Sequence, residues 1–145
     1  MAERKEYFYN PIDLEKDIAV GITLPFGKNK GLFSLSYTTE EQSISNLKNL
    51  LLTRKGERLF QPEFGSSVYS LLFEQMNESL STQMDEQLRE DIGFWLPYIV
   101  IDDLIIQPNY DRNYVGIELK FRVTEQGSNQ QIIMFVDSAG SATIQ

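Results

Sequence analysis

The sequence predicts an α+β fold, with about three helices packed on one face of a small, mainly antiparallel sheet. An N-terminal strand and a C-terminal three-stranded meander form that sheet. Three observations carry this reading. Apolar residues recur at helical spacing from Leu80 to Trp95, the period changes to two beyond Pro97, and Val115 to Val123 alternates strictly between apolar and polar. A chain of 145 residues with 41% hydrophobic side chains suits one ordinary domain with a buried core. The expected division is an N-terminal arm over residues 1–15 and a single domain over 16–145.

The arm is charged and aromatic by turns, with Tyr7, Phe8 and Tyr9 ahead of Asn10-Pro11. Ile18 to Leu24 reads as a strand with room for a bulge at Gly21, closed by Pro25 and a glycine-marked loop from Gly27 to Gly31. Thr38 with Glu41, and Thr39 with Gln42, are overlapping capping boxes that start a helix near Thr38 and carry it to about Thr53. Ile44, Leu47, Leu50 and Leu51 form its apolar stripe, with Glu41, Ser45 and Lys48 toward water. Arg54-Lys55-Gly56 suits a helix end, through positive charge at the dipole and a glycine able to turn left-handed.

Glu57 to Ser67 has no period and reads as an irregular loop anchored through Leu59, Phe60 and Phe64. A short helix follows through Val68, Leu71 and Leu72. Asn77 then caps a long helix whose stripe is Leu80, Met84, Leu88, Ile92 and Trp95, and Pro97 stops it. Ile99 to Ile106 is a strand interrupted at Asp102-Asp103, Asn109 to Asn113 a turn, and Val115 to Val123 a half-buried strand. Ile132 to Val136 is apolar on both faces, and Ser138 to Gln145 is a small polar tail.

Composition excludes whole classes of chemistry. The chain has no Cys and no His, so thiol and imidazole catalysis, disulfides and the usual zinc sites are absent. A net charge of −8 repels phosphate backbones and anionic lipid, so neither nucleic acid nor membrane is an expected partner. The longest apolar runs fall far short of the ~20 residues that span a bilayer. Gly21 to Lys28 has the wrong spacing for a phosphate loop, and Asn29 replaces its hydroxyl. Asp111 to Gly116 begins like a calcium loop, but Val115 occupies a ligand position and Arg122 stands in for the bidentate glutamate. Asn77-Glu78-Ser79 is a formal glycosylation sequon better read as a helix cap. No cofactor or metal is expected. Carboxylates are the acid–base groups that remain, and Glu57, Glu63, Asp102 and Asp103 are the candidates for a glycosidase pair. Glu57 and Glu63 have a plainer reading as ion-pair partners of Arg54, Lys55 and Arg58.

The segment Leu50 to Gly65, reading LLLTRKGERLFQPEFG, closely resembles the signature of the baseplate wedge and sheath-initiator family of contractile phage tails. That family is shared with the wedge component of type VI secretion systems. Its pattern is a helix ending in Thr-Arg-x-Gly, then x-Arg, then Pro-x-Phe-Gly, and Thr53, Arg54, Gly56, Arg58, Pro62, Phe64 and Gly65 match it. The likeness extends over roughly Leu47 to Val123. Where many relatives carry Glu-Pro-Arg, a motif thought to dock the helical core bundle of the wedge, this chain has Leu96-Pro97-Tyr98. The missing glutamate and arginine favour the phage over the secretion-system reading.

The resemblance implies a non-enzymatic structural protein of the tail baseplate, present in several copies. It would be made in the host cytoplasm and bound to the tail sheath subunit and to other wedge and hub or tube proteins. Its role would be to template the first sheath ring by strand pairing. The binding residues this implies are Arg54, Gly56, Arg58, Pro62, Phe64 and Gly65 in the signature loop, and Leu96, Pro97 and Tyr98 at the helix end. Ile132, Ile133, Met134, Phe135 and Val136 complete the set as a strand offered to the sheath. Two readings stay open for that strand, an edge covered by another chain or a central strand of this domain. The signature loop likewise either meets a neighbouring subunit or holds its own helix.

Overall fold

The computed structural model describes residues 11–23, 34–72, 79–109, 111–123, 127–137, 139 and 141–145. The aromatic arm from Tyr7 to Tyr9, the loop from Gly27 to Gly31 and the cap at Asn77 lie outside these residues. The architecture is α+β, and the chain forms two compact units, Met1–Asn46 and Leu47–Gln145.

In the first unit a single 3-10 turn, Pro11–Leu14, precedes a short antiparallel pair, β1 (Gly21–Ile22) and β2 (Leu35–Ser36), joined through Gly21↔Ser36 and Ile22↔Leu35. Among the described residues the N-terminal strand therefore pairs within its own two-stranded sheet and does not join the C-terminal meander. Among the described residues each of the two strands is two residues long. The Gly21↔Ser36 and Ile22↔Leu35 pairs run in register, without a bulge. A glycine serves at position 21 because a Cβ would run into the side chain of Gln42. That amide is already committed, accepting from Ser36 Oγ at 2.6 Å and donating to Asn46 Oδ1 at 2.9 Å.

Helix α1 (Thr39–Leu52) begins where the capping boxes place it. Thr38 Oγ1 accepts from the Glu41 amide at 3.2 Å, and Glu41 Oε2 accepts from the Tyr37 amide at 3.1 Å, so the first box forms nearly as written. The second box does not form. Asp13, from the 3-10 turn, instead accepts from the Thr39 amide at 2.8 Å and from its hydroxyl at 2.6 Å. A carboxylate on the exposed amides of a helix start also meets the positive end of the dipole. Asp13→Ala is expected to cost about 1 kcal/mol in urea unfolding, the usual worth of a lost cap, with Thr39→Val close behind. Ser45 is buried rather than wet, because its hydroxyl bonds back to the Glu41 carbonyl.

The second unit holds the core. Helix α2 (Val68–Leu72) and helix α3 (Leu80–Trp95) pack together, and α3 lies against strand β3 (Ile99–Asn109). Met84, Leu88 and Ile92 are buried along α3 as their spacing requires. Leu96 closes the helix through its amide to the Ile92 carbonyl, and Pro97 prevents continuation.

Beyond it runs a four-stranded antiparallel sheet in the order β3, β4 (Tyr114–Val123), β5 (Asn129–Asp137), β6 (Ala142–Ile144). The expected interruption at Asp102-Asp103 is a bulge within one continuous strand, marked by the register shift between Ile101 and Asp103. Val115, Ile117, Leu119 and Phe121 of β4 and Ile132, Met134 and Val136 of β5 face the core in register.

The segment expected to be a small polar tail supplies the fourth strand. Met134 pairs with Ile144, Phe135 with Thr143 and Val136 with Ala142. Small and polar residues can form an edge strand because the partner strand provides the ladder and the edge wants little apolar surface.

Candidate functional site

The signature loop is a closed structure built on its own backbone. Gly56 leaves α1 at φ +89°, and its amide donates to the Pro62 carbonyl at 2.6 Å, which draws the two ends of the segment together. Glu57 turns back so that its amide meets the Arg54 carbonyl at 3.1 Å, while its carboxylate accepts from the Arg54 amide at 3.0 Å. The return limb is sewn to the helix end by the Ser66 amide on the Thr53 carbonyl at 2.8 Å and a bridge pairing Arg54 with Ser66. Gly65 sits at φ +132°, where a Cβ would stand 2.6 Å from the Thr53 oxygen.

Closing the loop at Gly56 and Pro62 pushes the residues between them outward. Leu59 is 93% exposed and Phe60 is 99% exposed, so neither anchors the loop as expected from sequence. Phe64 is the anchor. Its ring packs edge-on to Trp95 with centroids 5.1 Å apart, and the Arg58 guanidinium lies 3.8 Å above it. Arg54 lies over the Tyr69 ring at 5.0 Å. Burial pushes the Tyr69 hydroxyl above its usual pKa, with the Arg54 charge opposing that shift and Glu57 adding to it.

The expected ion pairs of Lys55 and Glu63 within the loop are not those found. Lys55 reaches across to α3, where its ammonium meets Asp91 Oδ1, and the other oxygen of Asp91 accepts from the Ser67 amide at 2.9 Å. Asp91 is buried. It ties both limbs of the loop to α3 and supplies an acceptor at the start of α2. Glu63 forms no ion pair among the described residues.

The Phe64–Trp95 contact joins the two regions that the sequence singles out separately. Trp95 also packs edge-on to Phe94, with centroids 5.0 Å apart, and Leu96-Pro97-Tyr98 follows at once. At that corner Leu96 is buried, while Pro97 and Tyr98 are exposed. Beside it lies a hollow of about 220 Å³ lined by Lys55, Glu63, Gln87, Glu90, Asp91, Phe94 and Trp95.

On the third candidate segment, Ile132, Met134 and Val136 are core residues, and Ile133 and Phe135 point to the outer face. Phe135 is 41% exposed, yet its ring covers the bare backbone of Gly116 and packs edge-on to Tyr114. Of the two readings for this strand, the structure supports the interior one from Ile133 to Asp137, because β6 and its flanking residues pair along that length.

The outer face carries a charged band. Asp102 forms a two-pronged pair with Arg122, whose Nε donates to Oδ2 and whose Nη2 donates to Oδ1, and Lys120 sits between Asp103 and Glu118. The hydrogen bond from Arg122 holds the Asp102 carboxyl below its usual range. A glycosidase acid needs the opposite shift. Among the described residues no acidic group is arranged to hold a metal, and no helix is long and apolar enough to cross a membrane.

Asp91 is the residue sequence reasoning missed. Its signal is there, since it lies three residues after Leu88 on the apolar stripe of α3, where a carboxylate must find partners.

The family model described as baseplate wedge protein gp25 matches residues 38–128, the stretch holding the signature loop, α2, α3 and the first two strands of the large sheet. The baseplate wedge protein gp25 of Enterobacteria phage T4 is 31% identical over 85 residues, which cover 58% of this chain and 64% of that protein. A Geobacter sulfurreducens structure provisionally named a tail lysozyme shares the fold at a TM-score of 0.61 and 20% identity, over 69% of this chain and 91% of that one. A chain of the anti-feeding prophage baseplate aligns at a TM-score of 0.49 and 21% identity, over 83% of this chain and 77% of that one. The family match spans more than half of this chain, which is therefore a member of the baseplate wedge protein gp25 family, a structural family of contractile-tail baseplates.

Proposed function

We propose that this chain seeds the contractile sheath by lending the outer edge of its large sheet to a strand of the first sheath subunit. It links that subunit to the wedge through the signature loop and the Leu96-Pro97-Tyr98 corner. The observation that carries the reading is the contrast between the two edges of the sheet. β3 is guarded by a bulge, by Asp102 and Asp103, and by Pro108, all devices that discourage pairing. β6 is short, at three residues, but carries no bulge, no charged side chain and no proline.

The ladder also fixes which groups β6 can lend. Ile133 and Gln145 exchange both amide bonds, at 3.1 and 2.9 Å, and the Asp137 amide bonds the Ser141 carbonyl at 3.0 Å. In an antiparallel pair such bonds recur at every second residue, so Ser141, Thr143 and Gln145 face inward to β5. Ala142 and Ile144 therefore turn their amides and carbonyls outward, toward an incoming strand. The apolar run from Ile132 to Val136 serves as the inner support of that edge. The partners in this reading are the sheath subunit, other wedge proteins and the hub or tube, in several copies within the virion tail baseplate. No chemical step is involved.

Immobilised protein is expected to capture the sheath subunit, and Ala142→Pro is expected to reduce capture at least tenfold. Proline removes an outward donor while leaving the inward ladder intact, a substitution edge strands tolerate. Ala142→Val should retain capture. Unchanged capture by both Ala142→Pro and Ile144→Pro, with normal circular dichroism, would overturn the edge assignment.

A further inference from the structure

The hollow between the signature loop and the last turn of α3 has the chemistry of a receptor for one basic side chain. Its lining brings three carboxylates, Glu63, Glu90 and Asp91, against a single ammonium, Lys55. That ammonium is taken by Asp91, while Glu63 and Glu90 have no ion pair among the described residues. Glu90 receives only a long hydrogen bond from Gln87 Nε2, at 3.5 Å. The rest of the wall is Gln87 and an aromatic side made of Trp95 and of Phe94, which is 72% exposed.

Carboxylates beside an open aromatic wall favour a flat cation, which can stack on the ring and fork to the oxygens at once. The loop already uses this pairing internally, with Arg58 stacked on Phe64. A net charge of −8 further favours a basic visitor.

We propose that this hollow receives an arginine side chain from a neighbouring protein of the baseplate, held between the Glu63 and Glu90 carboxylates and the Phe94–Trp95 wall. The assignment rests on membership of a wedge family and is independent of sheath seeding through β6. The signature loop thereby gains a second role, because in closing on α3 it builds one side of the receptor. The hydrogen bonds that close the loop matter here, since a preformed hollow spares the ordering cost that a mobile one would impose on binding.

Trp95 is the only tryptophan of the chain and lines this hollow, so a ligand bound there meets the residue that gives the tryptophan emission. The full chain would be titrated with N-acetyl-arginine amide, with N-acetyl-citrulline amide as the uncharged isostere. The arginine amide is expected to give a saturable change in Trp95 emission, and the citrulline amide at least tenfold less. Glu63→Gln with Glu90→Gln is expected to abolish the response while circular dichroism and thermal unfolding stay as in the parent. Three results would each overturn the proposal: no saturable response to arginine amide, equal responses to both amides, or an undiminished response in the double variant. Capture of the sheath subunit, measured on the same samples, reports on the β6 edge separately and does not depend on this outcome.

Discussion

Gly65→Ala is expected to destabilise the protein by about 4 kcal/mol, a large share of the ~5–15 kcal/mol that holds a domain together. Two independent terms add. At φ +132° the backbone is in a region that side-chain-bearing residues hardly enter, worth about 1–3 kcal/mol. The new methyl would also stand 2.6 Å from the Thr53 oxygen and 2.8 Å from the Arg54 carbonyl carbon. Those are backbone atoms at the end of α1, and no rotamer change relieves the contact. The loop must open, which breaks the Ser66 to Thr53 hydrogen bond and lifts Phe64 away from Trp95.

Gly56→Ala is the control. Gly56 also has positive φ, at +89°, but nothing lies within 4 Å of its added Cβ, so the cost should be about 1 kcal/mol. Denaturant titrations followed by Trp95 fluorescence would separate the two. Equal losses at Gly56 and Gly65 would mean that backbone conformation alone, and not crowding, sets the requirement for glycine.

Asp91→Ala is the second large effect, at about 3 kcal/mol. Asp91 is 6% exposed, and its carboxylate serves two donors, the Lys55 ammonium and the Ser67 amide. Removing it orphans a buried amide at the start of α2, which costs about 1–3 kcal/mol. It also takes the partner from Lys55, whose side chain is 41% exposed and can turn to water, so that part falls well short of a fully buried pair. Asp91→Asn keeps an acceptor for Ser67 and loses only the charge, and should cost roughly half as much. Chemical unfolding would rank the two variants. An Asn variant as damaged as the Ala variant would show that the charge on Asp91, rather than the acceptor for Ser67, dominates.

The elements that the sequence made legible are those whose periodicity is locally enforced. Leu80 to Trp95 could only be an amphipathic helix, and Val115 to Val123 only a half-buried strand, because burial of one face demands that spacing. The start of α1 was readable because Thr38 and Glu41 satisfy each other's surroundings within one turn. What escaped depends on contacts remote in sequence. Asp13 caps α1 from 26 residues away, so no capping pattern contains it. β6 is a strand because Met134, Phe135 and Val136 lend it a ladder, and nothing in its own small residues announces one.

The same distinction holds for the candidate site. The glycines and Phe64 of the signature loop stood out by family likeness, and the structure gives Gly56, Gly65 and Phe64 definite roles in closing it. The outward thrust of Leu59 and Phe60 was hidden, since apolar residues in an aperiodic segment read as anchors until the hydrogen bond from Gly56 to Pro62 shows the loop already closed beneath them.

In the proposed function the sheath subunit adds a strand to β6. Amide hydrogen exchange on the protein alone and with the sheath subunit bound tests it most directly, because it reads the backbone groups that strand addition would occupy. New protection is expected at the amides of Ala142 and Ile144, with Thr143 and Gln145 already protected by β5 in the free protein. Protection that appears along β3 instead, or sheath binding that leaves Ala142 and Ile144 exchanging as before, would contradict it.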